Sequence, residues 1–177
     1  MRLFFGLSLP EEIRRTAAKR ADDCRRQIPG RYTLEENYHI TLAFLGDVPQ
    51  ERLPDAQQAL ASVIQNTPAP KLTLGRTDYF GRQQNGILIL RVCSEPALDF
   101  LHNALIQQLL AADLPADCGP FSPHITLARH ASIPGGVLPE GEALRFSPRE
   151  AHVFLSTRDD ANILRYTPLF STPFGAP

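Results

Sequence analysis

The pentapeptide His39-Ile40-Thr41-Leu42-Ala43 returns unchanged as His124-Ile125-Thr126-Leu127-Ala128. Five identical residues at two places in a 177-residue chain are improbable by chance, so internal repetition is the first feature to explain. The two histidines stand 85 residues apart (124 − 39), close to half the chain. Each copy has the β-branched and apolar character of a strand, and each comes after a segment with helical spacing. Before the first copy, Ile13, Ala17, Ala21, Cys24 and Ile28 form the apolar stripe of a helix that Pro29-Gly30 ends. Before the second, Leu98, Leu101, Leu105 and Leu109 form the stripe of a helix opened by Pro96.

Two copies of a strand-helix-strand unit therefore organise the chain. Residues 2–9 read as the first strand, with Pro10 as the first helical residue and Glu11 and Glu12 favouring the helix N-terminus. A short strand at 31–34, a stronger one at 38–45 and a helix at 51–66 come next. Strands at 71–80 and 87–93 flank a turn at 81–86. After the third helix come the strand from His124 to Arg129, a Pro- and Gly-rich loop at 133–141, and two final strands at about 144–156 and 162–169. A duplicated unit usually places its copies about a pseudo-twofold axis, which here brings both histidine strands to one central cleft. Residues 1–177 are expected to form a single two-lobed domain, with the HxT copies at 39–42 and 124–127.

Composition bounds the function. With 43% hydrophobic and 21% charged residues, the chain has the make-up of a globular protein. A formal charge of −1 argues against a long footprint on duplex nucleic acid, which needs a basic stripe. The three cysteines, Cys24, Cys93 and Cys118, form no CxxC pair and imply neither a disulfide framework nor a zinc site. No apolar run approaches the length of a membrane span, so the cytoplasm is the expected location and a monomer the expected state.

On a strand, residues i and i+2 share a face. His39 and Thr41 thus point one way and Ile40 and Leu42 the other, and the same holds for His124 and Thr126. Two imidazoles and two hydroxyls facing one cleft suit displacement at phosphorus, where a base activates the attacking oxygen and an acid protonates the leaving oxygen. Arg129, directly after the second copy, is a candidate phosphate ligand through its guanidinium. Strict alternation from His124 turns it away, so its participation requires the strand to bulge or end there. Phe44 holds the matching place in the first copy; it could stack on a base or fill the core, and core filling is the expectation. His102, His130 and His152 have no partner at meaningful spacing and are expected at the surface or core edge, with His130 near enough to the cleft to merit testing. Tyr166 reads equally as a cleft hydroxyl or a packed aromatic. Zinc normally takes three or four protein ligands, and each HxT supplies one. No HExxH, GxSxG or GxxxxGK[ST] appears.

The chain resembles the two-histidine phosphoesterase superfamily, specifically the bacterial and archaeal RNA 2′,3′-cyclic phosphodiesterases also called 2′-5′ RNA ligases. The resemblance rests on Arg2-Leu3-Phe4-Phe5, on the segments 39–46 and 121–129 that contain the two copies, and on Tyr166-Thr167-Pro168-Leu169. It implies a bilobal α+β fold, with antiparallel sheets lining the cleft and helices packed outside. It also implies hydrolysis of RNA 2′,3′-cyclic phosphate ends to a 2′-phosphate without metal or cofactor. His39 is then the proton donor and His124 the proton acceptor, with Thr41, Thr126 and Arg129 holding the phosphate. Two other readings remain open: 2′-5′ joining by the reverse reaction, and a non-catalytic protein that binds RNA ends.

Overall fold

A computed structural model describes residues 1–94, 96–133, 135 and 138–175. Among these residues, nine strands and three α-helices occur in the order β1 (Arg2–Ser8), α1 (Glu11–Arg25), β2 (Arg31–Tyr32), β3 (His39–Asp47), α2 (Leu53–Ile64), β4 (Leu72–Phe80), β5 (Gly86–Ser94), α3 (Pro96–Ala111), β6 (His124–Ala131), β7 (Leu144–Phe146), β8 (Glu150–Arg158) and β9 (Leu164–Pro173). They build two antiparallel sheets, one ordered β3-β1-β8-β9 and the other β2-β6-β5-β4-β7. The α+β class and its cleft-lining antiparallel sheets agree with the expectation.

The helices form where the apolar stripes predicted them. In α1, Ile13, Ala17, Ala21 and Cys24 are buried, and Pro10 stands one place before the helix, where its carbonyl accepts the Arg14 N–H at 3.0 Å. The helix begins with Glu11 and Glu12, whose charge favours the positive end of the helix dipole. α1 packs on β6, α2 on β8 and β9, and α3 on β3 and β5. The same helix faces cover the apolar sides of both motif strands, leaving Ile40, Leu42, Ile125 and Leu127 at 1% exposure or less. Full burial of such a side chain is worth roughly 1.5–3 kcal/mol. A one-residue slip would reverse every side chain, so burial fixes the facing of His39 and His124.

Each motif strand pairs antiparallel with the strand that precedes its helix: β3 with β1, and β6 with β5. Strands from the two halves also mix, because β2 pairs with β6 while β8 joins β1. That exchange brings β3 and β6 against each other across the two sheets.

Two expectations are corrected. The single strand at 144–156 is two strands in different sheets, β7 against β4 and β8 against β1. The chain crosses between them at Ser147-Pro148-Arg149, where Pro148 lacks the N–H that a continued ladder needs. The last strand also runs on to Pro173. Of the loop at 133–141, residues 134, 136 and 137 lie outside the described residues.

Candidate active site

The two motif strands share an irregularity that decides the site. In β3, Ala43 faces Phe5 and Thr41 faces Gly6, so Leu42 is an extra residue. In β6, Ala128 faces Leu88 and Thr126 faces Ile89, so Leu127 is the extra residue. Such a bulge breaks the two-residue period and re-aims the side chains after it. Leu42 and Ala43 are consecutively buried, as are Leu127 and Ala128. Beyond each bulge the facing is restored, so Phe44 rejoins His39 and Thr41 while Arg129 rejoins His124 and Thr126. The bulge that the participation of Arg129 requires is present. Phe44 does not fill the core: it is 48% exposed and borders the same groove as Arg129.

The carbonyl of each extra residue accepts from outside the β1 or β5 ladder. The Leu127 carbonyl accepts the Thr33 N–H at 2.8 Å. The Leu42 carbonyl accepts the His102 Nδ1–H at 2.7 Å. His102 is 9% exposed and its ring stacks on Phe121, with centroids 4.3 Å apart and planes 8° apart. Rather than a surface or core-edge residue, it is the support of the first motif.

The two cleft histidines are held alike. His39 Nδ1 lies 2.7 Å from the Asn37 carbonyl and His124 Nδ1 lies 2.7 Å from the Ser122 carbonyl. A carbonyl can only accept, so each Nδ1 carries the proton and each Nε2 is left for the cleft. The Thr41 hydroxyl reaches His39 Nε2 at 3.1 Å. An aromatic edge meets each ring at 84° and 4.9 Å, Tyr166 on His39 and Phe80 on His124.

Burial pushes the His39 pKa down to about 4. The Asn37 carbonyl opposes this, while the charges of His124 and Arg129 add to it. Burial also lowers His124, against the Ser122 carbonyl and with Arg129 and Arg91. Both rings are therefore neutral at pH 7 in the free protein. The charges of His124 and Arg129 thus reach His39, and that of Arg129 reaches His124, where β3 and β6 meet. Thr41 and His124 border a common pocket of about 410 Å³ together with Phe44 and Phe80. Thr126 is half-buried on the His124 face of β6.

Other residues were not legible as contributors. Arg91 sits opposite His124 in the ladder. Its Nε donates to Asp78 Oδ2 at 2.7 Å and its Nη1 to Ser122 Oγ at 3.1 Å, so an ion pair holds the residue whose carbonyl orients His124. Arg91 carries no motif of its own, and only the strand register reveals its link to Ser122. His130 Nδ1 is 2.9 Å from Asn85 Oδ1, and the buried His152, which borders a pocket with His39, has its Nδ1 2.8 Å from Ser171 Oγ. Among the described residues no group of three or more His, Cys, Asp or Glu is placed to hold a metal ion, and no helix is long and apolar enough to cross a membrane.

Comparison with known proteins places this geometry among relatives. The family described as the 2′-5′ RNA ligase superfamily matches residues 10–133. The chain is 34% identical over 153 residues to a Geobacillus stearothermophilus RNA 2′,3′-cyclic phosphodiesterase, covering 85% of this chain but 48% of that protein. It thus spans about half the length of that relative. It is 31% identical over 169 residues to the RNA 2′,3′-cyclic phosphodiesterase of Escherichia coli K12, covering 95% of this chain and 93% of that protein. Among solved structures, E. coli LigT complexed with 3′-AMP superposes with a TM-score of 0.82 at 29% identity, covering 98% of this chain and 97% of that one. A Thermus thermophilus protein, TT0787, superposes with a TM-score of 0.84 at 25% identity, covering 98% of both chains.

Proposed function

Because the chain belongs to the 2′-5′ RNA ligase superfamily, we propose that it hydrolyses RNA ends carrying a 2′,3′-cyclic phosphate, leaving a 2′-phosphate. In this reading His124 Nε2 takes a proton from water as the water oxygen bonds to phosphorus. The P–O3′ bond breaks, and the protonated His39 Nε2 gives its proton to O3′. Thr41 and Thr126 donate hydroxyl hydrogens to the non-bridging oxygens, and Arg129 supplies the cation that the pentacoordinate charge calls for. The anionic substrate itself raises the proton affinity of two imidazoles that burial has lowered, so the acid is charged as the substrate binds.

The observation that carries this reading is the matched pair of Nδ1–carbonyl bonds. They leave both Nε2 atoms without a backbone partner, and in this reading one acts as acid and the other as base on a single phosphate. No metal or cofactor enters the scheme. We further propose a cytoplasmic monomer, a single two-lobed domain built from a duplicated unit. The exposed Cys93 and Cys118 thiols suit a reducing compartment, and the equivalent bulges in β3 and β6 support the duplication.

The test is turnover of an oligonucleotide ending in a 2′,3′-cyclic phosphate, with the product identified. His39→Ala and His124→Ala are each expected to lose roughly 10²–10⁴-fold in kcat. A 3′-phosphate product would reverse the assigned polarity. Variants that keep turnover and lose only affinity would make the protein a binder of RNA ends.

A further inference from the structure

We propose that a second anion subsite adjoins the catalytic cleft, formed by Arg2 and Arg158 beside Tyr166, and that it binds the phosphodiester one nucleotide upstream of the reacting RNA end. The proposal rests on the reading of the cleft as a phosphodiester site and names which substrates that site favours.

The subsite arises from strand alternation. Phe4 lies on the cleft face of β1, with its ring 4.8 Å from His39 and 5.0 Å from Tyr166. Arg2 is two residues before it and shares that face. Phe154 stacks on Phe4 at 5.1 Å, so Ser156 and Arg158 share the cleft face of β8. Tyr166 is the ladder partner of Ser156. These residues border a groove of about 610 Å³ that Arg129 and Phe44 also line, so it continues from the catalytic phosphate position. Arg129 and Arg158 also border a neighbouring pocket of about 450 Å³ with Ile163, an exposed apolar side chain on which a base can rest.

Charge selects the ligand. Arg2, Arg129 and Arg158 border the groove together with Tyr166, and their charges oppose the rise that burial imposes on its phenol. Among the described residues none of the three forms an ion pair with a carboxylate. The neighbouring Arg165, by contrast, is held by Glu36 and Asp159. Asp117 is the carboxylate bordering the groove, and its Oδ1 accepts the Gly119 N–H at 2.9 Å. Three unneutralised cations gathered in one groove of a chain with net charge −1 make a local polyanion site. Arg129 serves the reacting phosphate, which leaves Arg2 and Arg158, with the Ser156 hydroxyl, for the next one.

The experiment compares two ligands by calorimetry at two salt concentrations: adenosine 2′-phosphate, and adenylyl-(3′→5′)-adenosine 2′-phosphate, which adds one internal phosphodiester. The dinucleotide is expected to bind at least ten-fold tighter, with a log–log salt slope steeper by about 0.7, the contribution of one single-strand phosphate. Arg2→Gln and Arg158→Gln should each cut that advantage to under three-fold while the mononucleotide affinity moves by less than two-fold, which also reports that the variant is folded. Equal affinities and equal salt slopes in the unmodified protein would overturn the proposal, as would an advantage that survives both substitutions. These are binding measurements. If the protein turned over no cyclic phosphate yet bound the dinucleotide preferentially through Arg2 and Arg158, the reading of function would fail and the subsite would stand.

Discussion

His102 offers a sharp test, because a residue in the wall of the Thr41–His124 pocket is assigned to hold the first motif in shape. His102→Phe keeps an aromatic ring over Phe121 but removes the Nδ1–H that meets the Leu42 carbonyl at 2.7 Å. That carbonyl is on a fully buried residue, and leaving it without a donor costs about 1–3 kcal/mol. For a chain of this size a loss near 2 kcal/mol lowers Tm by about 4–8 °C. The bulge is also what turns Phe44 back toward His39 and Thr41, so kcat for a cyclic-phosphate oligonucleotide should fall along with stability. Thermal unfolding and steady-state kinetics on His102→Phe and His102→Asn check both effects. The asparagine amide restores a donor, and kcat should recover in part even though the stacking on Phe121 is lost. A phenylalanine variant as stable and as active as the parent protein would refute the support role.

Thr41→Val removes the hydroxyl beside His39 Nε2 with little change in volume, and kcat should drop about 10–100-fold with the Tm nearly unchanged; a loss confined to KM would place Thr41 in ground-state binding only. Burial lowers both histidines below their ordinary value, so the singly protonated free protein that hydrolysis needs is abundant only at acid pH. The kcat/KM profile should therefore peak below about pH 6.5, while the bound anion raises both proton affinities and moves the kcat optimum upward. A kcat/KM maximum above pH 8 would contradict this. Turnover should persist in EDTA, and its loss would reject the metal-free proton transfer.

Much of this arrangement could be read from sequence because two short copies carried both kinds of signal at once. Apolar residues at 40, 42, 125 and 127 fixed which way the strands face, and that facing fixed His39, Thr41, His124 and Thr126. The features that escaped depend on pairing partners. Whether Leu42 and Leu127 are bulged is settled by the registers against β1 and β5, so Phe44 was expected in the core and Arg129 carried a condition. His102 was hidden in an apolar helical stripe, where its acceptor is 60 residues away. The roles of Arg2 and Arg158 emerge only when β1 and β8 are seen side by side, since each is an isolated arginine at a strand end. The division of 144–156 into two strands did leave a local mark, Pro148.

The central claim is that the two imidazoles act on one phosphate, and proton NMR of the histidine rings during titration with inorganic phosphate tests it most directly. A single phosphate should shift the His39 and His124 resonances together, with one dissociation constant at one equivalent, and should raise both pKa values. Shifts in only one ring, or two dissociation constants belonging to separate anions, would contradict the account.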